Sequence, residues 1–292
     1  MKLIALAAVS ALLLAGCAAS TPAANHRIAI VASTDVYGSI ASAVGGSAVT
    51  VTSIMNDPAQ DPHSFEANAR VQLELSKADL VIENGAGYDD FVDTMLSGLD
   101  GAKRTVLNVA TISGKTITPD FNEHLWYDFP TIENLVAELV TALSKASPAD
   151  ASTFEVNAED FVERLNGLER REATIQQTYG GSPVAITEPV PAYLLVASGL
   201  KIITPKEFSK AIEDSTDVSP AVLKETLTQF TDRKVKALVY NDQTAGPQTT
   251  AVLKAADESG IPVVPVTETL PQGLDYLGWM TLNLRAIERA LK

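Results

Sequence analysis

Histidine and cysteine are scarce enough here that each can be weighed by its place in the chain. Three histidines (His26, His63, His124) and one cysteine (Cys17) stand among 292 residues. One thiol cannot build a disulfide framework, nor a multi-thiolate zinc or iron–sulfur site. His63 lies in the proline-punctuated stretch Asn56-Asp57-Pro58-Ala59-Gln60-Asp61-Pro62-His63-Ser64-Phe65-Glu66. His124 lies in Phe121-Asn122-Glu123-His124-Leu125-Trp126-Tyr127-Asp128, just ahead of an amphipathic pattern. An imidazole in either place could bind a metal or carry a proton. Taken singly, each reads first as a structural or surface residue, and a separation of 61 positions fixes no local geometry. His26 reads as a solvated surface residue.

Other chemistries find little support. Leu80–Asn84 followed by Gly85-Ala86-Gly87 opens like a dinucleotide-binding turn, but Asp90 stands where the third glycine belongs. Asp89-Asp90 would also repel a pyrophosphate, so a plain strand-to-helix turn is the better reading. There is no GxxxxGK[ST] cradle, no GxSxG elbow and no HExxH, which leaves nucleotide and hydrolase chemistry without a motif. Lys and Arg number 22 against 36 Asp and Glu, a net charge of −14. Such a surface has no surplus of cations to displace counterions from phosphates, so nucleic acid is not an expected partner.

The elements that must position these residues are legible in outline. At roughly 100–200 residues per domain, the length fits two domains or one large one. Met1-Lys2, an apolar run from Leu3 to Leu14, and Ala15-Gly16-Cys17 read as a secretory signal over residues 1–16. The run is too short for a membrane-spanning helix. Residues 17–26 are small and polar, a tether. Ile28–Ala32, Val49–Ile54, Leu80–Glu83, Val106–Val109, Val184–Thr187, Ala237–Tyr240 and Val263–Val266 read as buried strands separated by helical patterns. That alternation predicts an α/β fold with mainly parallel sheets. Ile132, Leu135, Val136, Leu139, Val140 and Leu143 form one amphipathic helix face. Ser147-Pro148-Ala149-Asp150 is a strong helix start. Phe154, Ala158, Phe161, Leu165 and Leu168 then recur at helical spacing, predicting a helix over 149–178 long enough to bridge an N-terminal lobe (27–148) and a C-terminal lobe (179–292). Gly180-Gly181-Ser182-Pro183 ends it.

Three segments together carry a resemblance to a known family. Asp61-Pro62-His63-Ser64-Phe65-Glu66, with Leu75 to Gly85 after it, resembles the signature of the solute-binding lipoproteins of manganese and zinc ABC transporters. His124-Leu125-Trp126-Tyr127-Asp128 is similar to that family's second histidine motif, and Tyr276 to Leu284 resembles its C-terminal helix. Leu14-Ala15-Gly16-Cys17 resembles a lipobox, which would make Cys17 the lipid attachment point.

The resemblance implies two β/α lobes joined by a rigid helix, with a divalent cation held between them and no reaction catalysed. It carries the ligand role to His63 and His124 in the first lobe. In the second lobe it points to Glu188, after the strand Val184–Thr187, and to Glu268, after Val263–Val266. The family usually has aspartate at the last position, so Asp242 and Asp275 are alternatives there. Two imidazoles and two carboxylates would make a neutral site that favours Mn²⁺ over Zn²⁺, with Fe²⁺ also within reach. No organic cofactor is implied. The implied partners are an ABC permease with its ATPase, and the membrane through the N-terminal lipid; the chain itself would be an extracytoplasmic monomer. Rival readings are a receptor for haem, cobalamin or siderophores on the same architecture, and a metal-dependent hydrolase.

Overall fold

The computed structural model describes residues 27–57, 62–99 and 104–292. The expected signal, Cys17, the tether with His26, and Asp61 lie outside them.

Two four-stranded sheets organise the chain. The first joins β1 (Ile28–Thr34), β2 (Val49–Met55), β3 (Leu80–Glu83) and β4 (Thr105–Asn108) in the order β2-β1-β3-β4. The second joins β5 (Pro183–Ile186), β6 (Lys201–Ile202), β7 (Leu238–Asn241) and β8 (Val263–Val266) in the order β6-β5-β7-β8. All pairings are parallel, as the unbroken apolar runs demand of strands covered on both faces. The C-terminal ends of the strands therefore lie along one edge of each sheet, where open α/β folds place their ligands.

Several boundaries differ from the periodicity. β4 stops at Asn108 rather than Val109, because the Asn108 side chain accepts from the Thr111 backbone at 2.9 Å and caps the short helix Val109–Ile112. β6 has only two residues, too few to show a period. The bridging helix runs Ala151–Tyr179 rather than from 149. Its approach, Pro148–Asp150, is a 3₁₀ turn, and the Ser147 hydroxyl is spent on the Asp150 carboxylate at 2.7 Å. At 1.5 Å per residue the helix is about 43 Å long. It ends at Gly180 and Gly181, the latter at φ +79°, a conformation that costs glycine nothing.

One hydrophobic core runs through both sheets. Ile30 and Ile82 of the first connect through Trp126, Tyr127, Phe129 and Phe161 to Ile186 and Val239 of the second, and on to Trp279 and Leu284. The helix buries Phe154, Phe161, Leu165 and Ile175 along one stripe, and Phe161 stacks on Tyr276 with ring centroids 6.1 Å apart. The C-terminal helix Tyr276–Ala290 is thus locked to the bridge. Truncating Phe161 to alanine should cost roughly 3–5 kcal/mol of stability, read as a lowered urea midpoint.

Candidate metal centre

The second histidine is built into the interior. His124 precedes the 3₁₀ turn Leu125–Tyr127, whose three residues have no solvent exposure, and is itself fully buried. Its ring meets Trp126 edge-on at 5.2 Å and Tyr88 at 6.1 Å. The loop carrying it is tied to the first sheet by Asn84, whose amide donates to the Glu123 carbonyl at 3.0 Å. Asn122 fixes the ring. Its Oδ1 lies 2.7 Å from His124 Nδ1, while its Nδ2 donates to the Pro189 carbonyl at 3.1 Å. The amide oxygen can only accept, so Nδ1 carries a proton and Nε2 is the nitrogen that faces the site, available to a metal once its own proton is displaced.

His63 arrives on the 3₁₀ turn Pro62–Ser64 beyond β2. Its ring stands edge-on to Tyr88 at 5.4 Å and to His124 at 6.0 Å. Tyr88 is delivered by the Gly85-Ala86-Gly87 turn, where Gly85 adopts φ +77°. That turn binds no phosphate. The Asp89 carboxylate fills its concavity, accepting from the Asn84 and Gly85 backbone at 2.6 and 2.7 Å.

The second lobe answers with carboxylates. Glu268 lies two residues beyond β8 with no solvent exposure. Its Oε2 sits 3.4 Å from Nε2 of both His63 and His124. Tyr88 donates to the same oxygen at 3.2 Å, and Asn241 Nδ2 donates to Oε1 at 2.9 Å. Glu188 lies two residues beyond β5, 2% exposed, with Oε2 lacking a hydrogen-bond partner. The alternatives for the last position are elsewhere. Asp242 is exposed. Asp275 caps the C-terminal helix through the Gly278 backbone at 2.7 Å and faces Arg164 at 3.8 Å.

A carboxylate that sequence reasoning missed completes the cluster. Glu213 ends the helix Lys206–Glu213, and its Oε1 lies 3.7 Å from His124 Nδ1 and 4.0 Å from His63 Nε2. His63, His124 and Glu213 can bring one ligand atom each within 4.8 Å of one another. A signal existed: Phe208, Ser209 and Ile212 mark the buried face of that helix, and position 213 follows Ser209 by one turn.

Burial and charge set the protonation of the cluster. Burial alone would raise the Glu268 pKa, but the two imidazoles hold it well below the carboxylate range. Burial would lower that of His124, yet Glu213 and Glu268 raise it to about 9. Burial, and then the charge of Glu268, push Glu188 up to about 7. Glu213 rises to about 8, chiefly through burial.

Two parallel α/β lobes sharing a core, with imidazoles from one meeting carboxylates from the other beside the strand ends, define a two-lobed binding protein with a cation-sized site. A profile of the ZnuA family, described as the periplasmic component A of zinc-uptake complexes, matches residues 30–290. The chain belongs to that family, which includes substrate-binding lipoproteins of manganese and zinc ABC transporters. It is 24% identical over 296 residues to the manganese-binding lipoprotein MntA of Bacillus subtilis, covering 96% of this chain and 95% of that protein. In fold it is similar to the periplasmic zinc-binding protein TroA of Treponema pallidum, with a TM-score of 0.75 at 20% identity, covering 91% of this chain and 99% of that one. FpvC of Pseudomonas aeruginosa in complex with Mn²⁺ gives a TM-score of 0.74 at 23% identity, covering 91% and 98%.

Two outcomes follow from the site geometry. Asn122→Ala frees the His124 ring and should weaken metal binding about 10–100-fold, with little change in melting temperature; calorimetric titration measures it. The second concerns pH. In chelator-treated protein, His124 (6.5 to about 9), Glu188 (4.5 to about 7) and Glu213 (4.5 to about 8) all hold protons more tightly folded than unfolded. Their contribution is complete below the unfolded values and is lost as pH rises through the folded ones. Glu268 has the opposite sign, and its contribution is lost only in strong acid. The melting temperature of the metal-free protein should therefore fall between pH 6.5 and 9; a rising profile there would contradict the assignment.

Proposed function

We propose that this chain captures a divalent transition metal outside the cytoplasm and delivers it to an ABC permease driven by its ATPase. His63, His124, Glu188 and Glu268 are the ligands in this reading. The observation that supports it most is Glu268. A fully buried carboxylate reaches two imidazoles of the other lobe at 3.4 Å, an arrangement that makes sense around a cation. The His63 and His124 donor atoms each lie 3.4 Å from Glu268 Oε2 across the lobes, a spacing that suits one bare ion rather than haem, cobalamin or a siderophore.

Two imidazoles and two carboxylates balance a divalent charge. The carboxylates favour Mn²⁺ over Zn²⁺ by ligand type, although Mn²⁺ is at the weak end of the divalent series and selectivity must come from geometry and supply. Relatives named for manganese and for zinc fit either cargo. Lipidation at Cys17 would hold the protein at the membrane surface as a monomer, and no helix among the described residues is long and apolar enough to cross a membrane. The segments 27–148 and 179–292 would act as lobes held at a nearly fixed angle by the bridge.

Elemental analysis tests the reading. Stripped and reloaded protein should hold one equivalent of Mn²⁺ or Zn²⁺. His63→Ala, Glu188→Ala and Glu268→Ala should each lose affinity by more than the roughly 100-fold that a second-sphere partner can contribute. Competition of the two metals on stripped protein then ranks them. An organic chelate co-purifying without bare metal, or turnover of ester or amide substrates, would sink the proposal.

A further inference from the structure

We infer that the groove between the helices Phe129–Ala146 and Ala151–Tyr179 is a docking surface for a basic amphipathic helix of a partner protein. None of its lining residues belongs to the metal cluster, so docking there is independent of metal capture.

The groove follows from how the two helices meet. They are consecutive and joined through the short turn Pro148–Asp150, which makes them an antiparallel pair. Each turns its long apolar side chains into the core: Leu135, Leu139 and Leu143 from the first, Phe154, Phe161 and Leu165 from the second. The flank between them is left with short ones. Val136, Val140, Ala158 and Val162 floor an open trough of about 630 Å³. Two packed helices with an apolar trough between them offer the seat that a third helix takes in a bundle. The trough follows the bridging helix from Glu155 to Arg170, about 22 Å, which matches about four turns of an occupying helix.

The rim sets the charge of the occupant. Glu133 on one bank and Glu155, Glu159 and Glu163 on the other stand against a single basic residue, Arg170. All four glutamates are exposed. The other arginines of the bridging helix do not compensate them: Arg164 faces Asp275 at 3.8 Å and Arg171 pairs with Glu288 at 2.6 Å, both towards the C-terminal helix. Burial, and then the charge of Glu133, raise the pKa of Glu169 next to Arg170. An incoming cation would relieve that crowding of like charge. A second copy of the chain docking through this face would set acids against acids, and an anionic bilayer would be repelled. A helix with an apolar stripe at i, i+3/i+4 and i+7, flanked by lysines or arginines, answers both floor and rim.

The test uses the mature protein and, as probe, a fluorescein-labelled leucine–lysine peptide of about four amphipathic turns, followed by anisotropy. Glu155→Lys combined with Glu159→Lys should weaken binding about tenfold or more, since each reversal turns attraction into repulsion. The same charge change placed in the second lobe, Glu225→Lys with Asp257→Lys, should leave binding within about twofold, because salt screens charges that far from the groove. An alanine–lysine peptide of equal charge should bind about tenfold more weakly for want of apolar contact with the floor. Amide shifts induced in the isotope-labelled protein should centre on residues 133–140 and 155–170. All four substituted residues are exposed, and circular dichroism checks that the variants fold. Equal weakening by the second-lobe reversals, shifts centred elsewhere, or no binding of the leucine–lysine peptide would overturn the inference. So would a dimer that the groove reversals dissociate, or wild-type binding to phosphatidylglycerol vesicles that they abolish; either gives the groove a different occupant.

Discussion

The structure depends on keeping one carboxylate charged where no water reaches it. An isolated buried carboxylate would be neutral, because desolvation is far more costly than binding a proton. Glu268 escapes this only through partners brought from a distance in sequence: His63 and His124 at 3.4 Å, Tyr88 at 3.2 Å and Asn241 at 2.9 Å. Three of the four come from the first lobe. The charge is thus tolerable only while the lobes are docked, and breaking a buried pair typically costs 3–5 kcal/mol. Docking and site formation are a single event.

What holds the docked arrangement is a core without a seam, reinforced by hydrogen bonds across the junction. The Tyr127 hydroxyl donates to Thr267 O at 2.8 Å, beside Glu268, and Tyr276 donates to Trp126 O at 2.7 Å, beside His124. Asp35 accepts from the Leu270 backbone at 3.1 Å, and Ser39 accepts from that of Tyr276 at 3.1 Å. Asn122 joins both halves in one residue, holding the His124 ring and the Pro189 carbonyl next to Glu188 while its own carbonyl accepts from Tyr193 at 2.9 Å. A wide hinge opening would have to break all of these together. In the metal-capture reading, the more economical route for an ion is past His63 and Glu213, the members of the cluster that keep some exposure, with the buried ones standing still.

Legibility in the sequence followed the range of the interactions. Strands and the bridging helix were readable because burial on both sheet faces or along one helix stripe leaves a periodic trace. The two-residue β6 was not, and neither was the exact start of the bridge, decided by a single hydroxyl at Ser147. The histidines were visible as residues but not as a pair; only likeness to a family joined them, since no spacing rule spans 61 positions. Glu268 stood among 36 acids, and choosing it over Asp242 or Asp275 required seeing that the latter serve a turn and a helix cap. Asn122 and Glu213 went unread for the same reason. Each acts through contacts with a distant part of the chain; an asparagine in a loop leaves no pattern of its own, and the buried face of the helix Lys206–Glu213 only hinted at Glu213.

The opposite fates of the two buried glutamates show how such a cluster can wait for an ion without falling apart. Glu268 and Glu188 share one low-dielectric region, and like charges there cannot both persist unaided. The imidazoles settle the contest in favour of Glu268, leaving Glu188 with a pKa near neutrality, about 7. His124 meanwhile keeps a proton against its own burial because it faces carboxylates. In the metal-capture reading, protons balance the charge of this cluster at the positions a metal would take. A divalent cation displaces them, so its apparent affinity is set against proton affinity and weakens as the medium becomes more acidic. The same competition would protect the fold: protons compensate the cluster where no metal is bound, and a bound metal would compensate it as protons leave.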